Sequence, residues 1–236
     1  MGITVLSLFD GMSCGQIALR ELGIRVDKYY SSEIDRHAIG QTQLNFPGTI
    51  QLGSVTEVDA RKLGHVDLLI GGSPCTNFSF AGRRNGMNTT TNEEIYTLER
   101  YLELKRDGFK FDGESFLFWE YMRILGEVRK TNPDVFFFLE NVEMGDKWES
   151  VLTNAIGIPG VHIDSALVSA QRRRRIYWTN IRTKTEGLFG WTVPDIPQPE
   201  DRGIMLADVL EDEVDGKYYL KDETVDKLLA NGVKGA

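Results

Sequence analysis

Apolar residues along the chain fall into short continuous runs separated by segments with helical spacing. Residues 3–9 form an apolar run with β-branched side chains that ends at Asp10-Gly11, which predicts a buried first strand. A helical stretch follows over 15–22 and stops at Gly23. Residues 29–34 predict a second strand, and 36–45 a helix ahead of Pro47. A short strand is expected over 49–52 and a buried one over 66–70, the latter ending in Gly71-Gly72-Ser73-Pro74. Residues 93–106 predict a charged amphipathic helix and 116–130 a more apolar one. The run 135–139 is the most apolar strand, and 161–168 with 175–181 predict a closing antiparallel pair. Strands separated by helices imply an α/β fold with a doubly wound, mostly parallel sheet, whose ligands sit outside the carboxyl ends of the strands. After Pro194 the composition turns acidic and turn-rich, so a domain boundary is expected between 194 and 195.

Length and charge refine this picture. The 236 residues suit one large domain, or one domain with a fragment of a second. No apolar run approaches the ~20 residues that a membrane span needs. The first run is short and lacks a basic leader, so it is expected to be a strand and not a signal peptide. The two cysteines, Cys14 and Cys75, make no disulfide framework and suggest a reducing, cytoplasmic compartment. The net charge of −8 argues against nucleic acid at first sight. However, residues 195–236 hold 11 acidic and 5 basic residues and so account for −6 of it. Gln171-Arg172-Arg173-Arg174-Arg175 is followed by Arg182 and Lys184 with no acid between, and a local patch of this kind binds phosphate whatever the overall charge.

Each strand end carries a candidate. The turn Phe9-Asp10-Gly11-Met12-Ser13 is either a plain tight turn or a place where backbone N–H groups approach a ligand. Glu33, at the end of the second strand, is either a solvated loop acid or an acceptor for a ribose diol; with the first turn, an adenosine-bearing ligand is favoured. Cys75 is either a structural cysteine or, on its Gly-Gly-Ser-Pro loop, a nucleophile whose thiolate nearby arginines would favour. Glu140 emerges from a very apolar strand, which suits a proton donor; the other reading is a helix N-terminal acid or an ion-pair partner. The arginine run is either a solvated face or part of the site. Because it leads into a strand, Arg173 and Arg175 would share one face, where two guanidiniums can hold a carbonyl and a phosphate.

Phe9-Asp10-Gly11, Glu33, Pro74-Cys75, Glu140-Asn141-Val142 and Gln171-x-Arg173-x-Arg175, in this order, resemble the cytosine carbon-5 DNA methyltransferases, particularly those of bacteria and phages. The resemblance runs from Ile3 to about Leu220. It implies a Rossmann-like, S-adenosylmethionine-dependent methyltransferase fold over 1–194. It also implies that Cys75 adds to carbon 6 of a cytosine flipped out of double-stranded DNA. Glu140 would protonate ring nitrogen 3, Arg175 would hold the exocyclic oxygen, and Arg173 would support the base or a phosphate. Phe9, Asp10, Gly11, Met12, Ser13, Glu33, Ile34, Ser54 and Val55 fall where the family binds S-adenosylmethionine, and Leu117 where it packs an apolar side chain near the adenine. No metal is implied, and His37, His65 and His162 lack ligand spacing.

The sequence also departs from the family. Gly53-Ser54 stands where Gly-Asp is usual, Thr76 stands where glutamine or asparagine is, and 83–113 is longer than the family minimum. Residues 195–236 resemble the acidic start of a target-recognition region whose continuation, with two later motifs, is not in this sequence. A second chain that supplies it is one expectation. The rival readings are a tRNA cytosine methyltransferase and a methyltransferase-like regulatory protein without turnover.

Overall fold

The computed structural model describes residues 2–74, 93–111, 113–188 and 190–230. The chain alternates strand and helix as its pattern predicts. β1 (Ile3–Leu8), α1 (Cys14–Glu21), β2 (Val26–Ser32), α2 (Arg36–Asn45) and β3 (Ile50–Gln51) are followed by two single 3-10 turns, Val55–Glu57 and Ala60–Lys62. Then come β4 (Leu68–Gly72), α3 (Leu98–Arg106), α4 (Leu117–Thr131), β5 (Phe136–Val142), α5 (Asp146–Ile156), β6 (Val161–Asp164) and β7 (Arg174–Thr179). β8 (Thr183–Glu186), β9 (Trp191–Pro194) and α6 (Asp222–Ala230) complete the order.

Seven strands form one sheet in the order β3-β2-β1-β4-β5-β7-β6. β7 alone runs opposite, antiparallel to both β5 and β6. The expected closing pair is thus present, with β7 inserted beside β5. Alternation along the strands sends apolar residues to both faces. Leu6, Leu8, Leu69, Leu139, Ile176 and Trp178 join Phe118, Trp119, Ile124 and Leu125 of α4 in the larger core cluster. Val5, Tyr29 and Leu68 pack with Leu19 of α1 in the smaller one.

Several boundaries differ from expectation for local reasons. The predicted strand over 161–168 ends at Asp164, whose carboxylate caps a 3-10 turn over Ser165–Leu167. The predicted helix over 93–106 begins at Leu98, where Thr97 caps it by accepting the Arg100 N–H, while Ile95 is pulled into the core. β5 continues to Val142, which puts Glu140 inside a paired strand. The hairpin β8–β9 is unanticipated: β8 is exposed throughout and carries no apolar alternation. From Asp201 to Ala230 every residue except Ile204 is exposed.

Candidate active site

The parallel strands β1, β2 and β4 end along one edge, with Leu8 paired to Ser32 and Gly71. The turn after β1 places Phe9, Gly11 and Ser13 at φ near +60°, a region that costs non-glycine residues about 1–2 kcal/mol each. Side chains hold it there. The Asp10 carboxylate accepts from the Tyr29 hydroxyl at 2.7 Å and from the Ser13 hydroxyl. Burial, and then the Asp10 charge, push the Tyr29 phenol well above its ordinary range, so it remains a donor. Glu33 accepts the Gly11 N–H at 2.8 Å on one oxygen, and the Ile34 and Asp35 N–H groups at 2.7 and 2.9 Å on the other. The carboxylate is therefore fixed in orientation, and three N–H donors leave about one of its four lone-pair sites, on the oxygen that holds Gly11, for a ligand hydroxyl.

Beside this turn a cavity of about 220 Å³ is lined by Phe9, Glu33, Ile34, Ser54, Val55 and Leu117, with Pro74 on its wall. Ile34 shows 75% of its surface, an apolar side chain left largely uncovered among the described residues. The Ser54 hydroxyl caps the Val55–Glu57 turn and lies 2.8 Å from the Thr56 hydroxyl. A second cavity of about 410 Å³ runs from Phe9 and Asp10 past Cys14 to Glu140. Asp10 and Ser13 spend their side chains on each other and on Tyr29 and Thr42, and Met12 is exposed and lines neither cavity. A wider cleft of about 790 Å³ between α5 and the β8–β9 hairpin shares no lining residue with these two.

Glu140 pairs with Gly72 of β4 on one side and Tyr177 of β7 on the other. A Cβ on Gly72 would lie 2.9 Å from Glu140 Oε2, so the glycine makes room for the carboxylate. Because β7 is antiparallel, its first residues lie at this same edge. Arg175 Nε is 2.7 Å from Glu140 Oε1 and Arg173 Nη2 is 3.7 Å away. Arg172 and Arg174 turn the other way, to Asp164 and Glu143. The alternation expected of the arginine run is what the structure displays, although Arg173 stands just ahead of the strand. Asn141, fully buried, donates to the Ser73 hydroxyl at 2.9 Å and to the Ser73 carbonyl, which anchors the segment leading to Pro74. Cys75 lies outside the described residues.

Tyr29, Gly72 and Ser73 are supporting residues that sequence reasoning did not assign. The doubled glycine at the end of β4 was a signal for Gly72; nothing in the sequence singled out Tyr29. Among the described residues no cluster of three His, Cys, Asp or Glu side chains is suited to a metal ion. Among them, too, no helix is long and apolar enough to cross a membrane.

Residues 3–109 match the sequence profile of the family described as C-5 cytosine-specific DNA methylase. Orphan methyltransferase M.Rho11sI of Bacillus phage rho11s is 30% identical over 251 residues, covering 96% of this chain and 47% of the phage protein. Orphan methyltransferase M.SPRI of Bacillus phage SPR is 28% identical, with 96% and 54% covered. A putative type II methyltransferase of Bacillus subtilis strain 168, M.BsuMIIP, is 27% identical, with 96% and 61% covered. The chain thus spans about half to three-fifths of the length of these relatives. A crystal structure of a mutant of Spodoptera frugiperda DNMT2 shares the fold, with a TM-score of 0.59 at 18% identity over 92% of this chain and 62% of that one. By sequence, the chain belongs with the C-5 cytosine-specific DNA methylases of bacteria and their phages.

Proposed function

We propose that this protein methylates carbon 5 of cytosine in DNA, with S-adenosylmethionine as methyl donor and Cys75 as nucleophile. The observation that carries the reading is the placement of Glu140, ion-paired to Arg175, on the same sheet edge as the Glu33-braced turn and immediately behind the segment leading to Cys75. The cavity by Phe9, Ile34, Val55 and Leu117 suits a flat apolar ring, and Glu33 beside it suits a ribose diol. The bound donor supplies an electrophilic methyl group on a sulfonium.

The chain's own residues do the rest. The Cys75 thiolate forms a bond to carbon 6 of the ring, and a proton from Glu140 goes to nitrogen 3, so electron density moves to carbon 5. After methylation a base removes the carbon-5 proton, the carbon–sulfur bond breaks to restore the thiolate, and the nitrogen-3 proton returns to Glu140. Arg175 orients Glu140 and the exocyclic oxygen. Arg173, half-exposed beside it, faces the base or a phosphate. A base inside a duplex is out of reach, so it must be flipped out. Residues 1–194 form the catalytic unit in this reading, and 195–236 open a region for target recognition.

The test is transfer of labelled methyl from S-adenosylmethionine to unmethylated duplex DNA and, in parallel, to tRNA. It is run on this chain and on the protein extended to its relatives' length. Transfer to DNA that is lost in Cys75→Ser, with covalent trapping on 5-fluorocytosine DNA, is expected. Transfer to tRNA alone would replace the DNA reading. S-adenosylhomocysteine binding with no transfer by either form would leave a binding protein.

A further inference from the structure

One fully buried carboxylate stands apart from these residues. Glu120 of α4 has no exposed surface. Its Oε1 accepts from the Tyr101 hydroxyl and from Lys105 Nζ, both on α3, and its Oε2 accepts from Arg123 Nε at 2.7 Å. An isolated buried carboxylate is costly, and pairing with Lys105 and Arg123 offsets that cost.

Both cations reach past Glu120 to the same short segment. Arg123 Nη2 donates to the Val55 carbonyl and Lys105 Nζ to the Thr56 carbonyl, each at 3.2 Å. Arg123 Nη1 also holds Glu127 at 2.7 Å, and the other oxygen of Glu127 accepts the Ala60 N–H at 3.0 Å. Val55 and Thr56 belong to the 3-10 turn that carries Ser54 and Val55 into the wall of the 220 Å³ cavity. That wall has little sheet behind it, because β3 is two residues long. Leu117, which also lines that cavity, starts the same helix, and positions 117, 120, 123 and 127 follow one stripe of it.

We propose that Glu120, Lys105 and Arg123 are positioning residues for cofactor binding. The buried carboxylate orients two cations, and these fix the Val55–Thr56 backbone at the separation from Leu117 that the adenine ring fills. The inference rests on the cofactor reading above. Loss of either cation frees one carbonyl while Val55 and Val58 stay in the core, so the fold persists and the wall loosens.

The test is calorimetric binding of S-adenosylhomocysteine to the full chain, with thermal melting alongside. Thr153→Val is the control for general stability; it removes the acceptor of Trp178 Nε1 elsewhere in the molecule. Lys105→Met and Arg123→Met should each weaken binding about fivefold or more, while Thr153→Val lowers the melting temperature and leaves the affinity unchanged. Lys105→Arg should restore most of the affinity. Should Arg123→Met fail to fold, Lys105→Met and Lys105→Arg decide, since the Lys105 side chain is about one-third exposed. Wild-type affinity in the methionine variants would overturn the proposal. No binding by the wild-type chain would overturn the cofactor reading and this inference with it.

Discussion

Arg175 Nε lies 2.7 Å from Glu140 Oε1, across two strands that run in opposite directions. The guanidinium is mostly buried and Glu140 half-buried, so solvent screens the pair less than it would a surface pair. Glu140→Gln keeps the shape, removes the charge and leaves no acid to give a proton. Methyl transfer should fall by about 100-fold or more, with S-adenosylhomocysteine affinity within about twofold of wild type. Single-turnover transfer and calorimetry check this.

Gly72 offers a gentler perturbation of the same carboxylate. In Gly72→Ala the new Cβ lies 2.9 Å from Glu140 Oε2, and the end of a side chain gives way more easily than backbone. The carboxylate should swing off its position and transfer should slow by about tenfold, with a small change in melting temperature. An unchanged rate would show that Glu140 has latitude.

Glu33 braces the first turn through the Gly11 N–H and faces the cavity. Glu33→Gln weakens the bracing and removes the charged acceptor. S-adenosylhomocysteine binding should weaken about 10- to 100-fold, the worth of one or two charge-assisted hydrogen bonds. Titration by calorimetry reads this directly.

Ser54 caps the 3-10 turn that Lys105 and Arg123 hold. Aspartate is also a good cap, so Ser54→Asp should keep the turn and add a charged acceptor for an adenine amino group. Binding should tighten by about 1–2 kcal/mol. Ser54→Ala, which loses the cap, should bind more weakly than wild type. Equal or weaker binding by the aspartate variant would mean that the ring does not reach this position.

Asp59 sits at the start of the next 3-10 turn. Its hydrogen bond from Arg61 is the main cause holding its carboxyl down at about 2, below the ordinary 3.8. A lowered folded value means stability that is present above about pH 4 and is lost as pH falls towards about 2. Asp59→Asn should flatten stability against pH within that window and leave the rest of the curve unchanged. Urea midpoints from pH 6 to pH 2 measure it.

Much of this was legible in the sequence because the chemistry-bearing residues follow strand ends. Glu33, Glu140 and the alternation of Arg173 with Arg175 are consequences of strand period and of parallel strands that end on one edge. Contacts between elements distant in sequence were not legible. Asn141 meets Ser73 across 68 residues, and Lys105 meets Thr56 across 49; no local pattern encodes either pairing. Helix α3 starts later than its charge pattern suggests because burial of Ile95 outweighs helical spacing there. The β8–β9 hairpin was missed because strand reading depends on an apolar face, and β8 has none.

The strand order also sets a length. Glu33 follows β2 and Glu140 lies in β5, with β1 and β4 between them. Neighbouring strands are ~4.8 Å apart, so these two lie about 14 Å apart along the sheet edge. Backbone hydrogen bonds between the strands maintain most of that span, and Glu33 stands one residue beyond β2. In the proposed function the sheet is a ruler between the ribose end of one ligand and the reacting end of the other. Exchanging a side chain at either mark changes grip or reactivity but leaves the interval alone. Altering the interval would require a strand to be gained or lost. If the proposed function holds, a donor longer or shorter than this gauge would bind at one mark and miss the other, and the sheet would select the co-substrate by its size as well as by its chemistry.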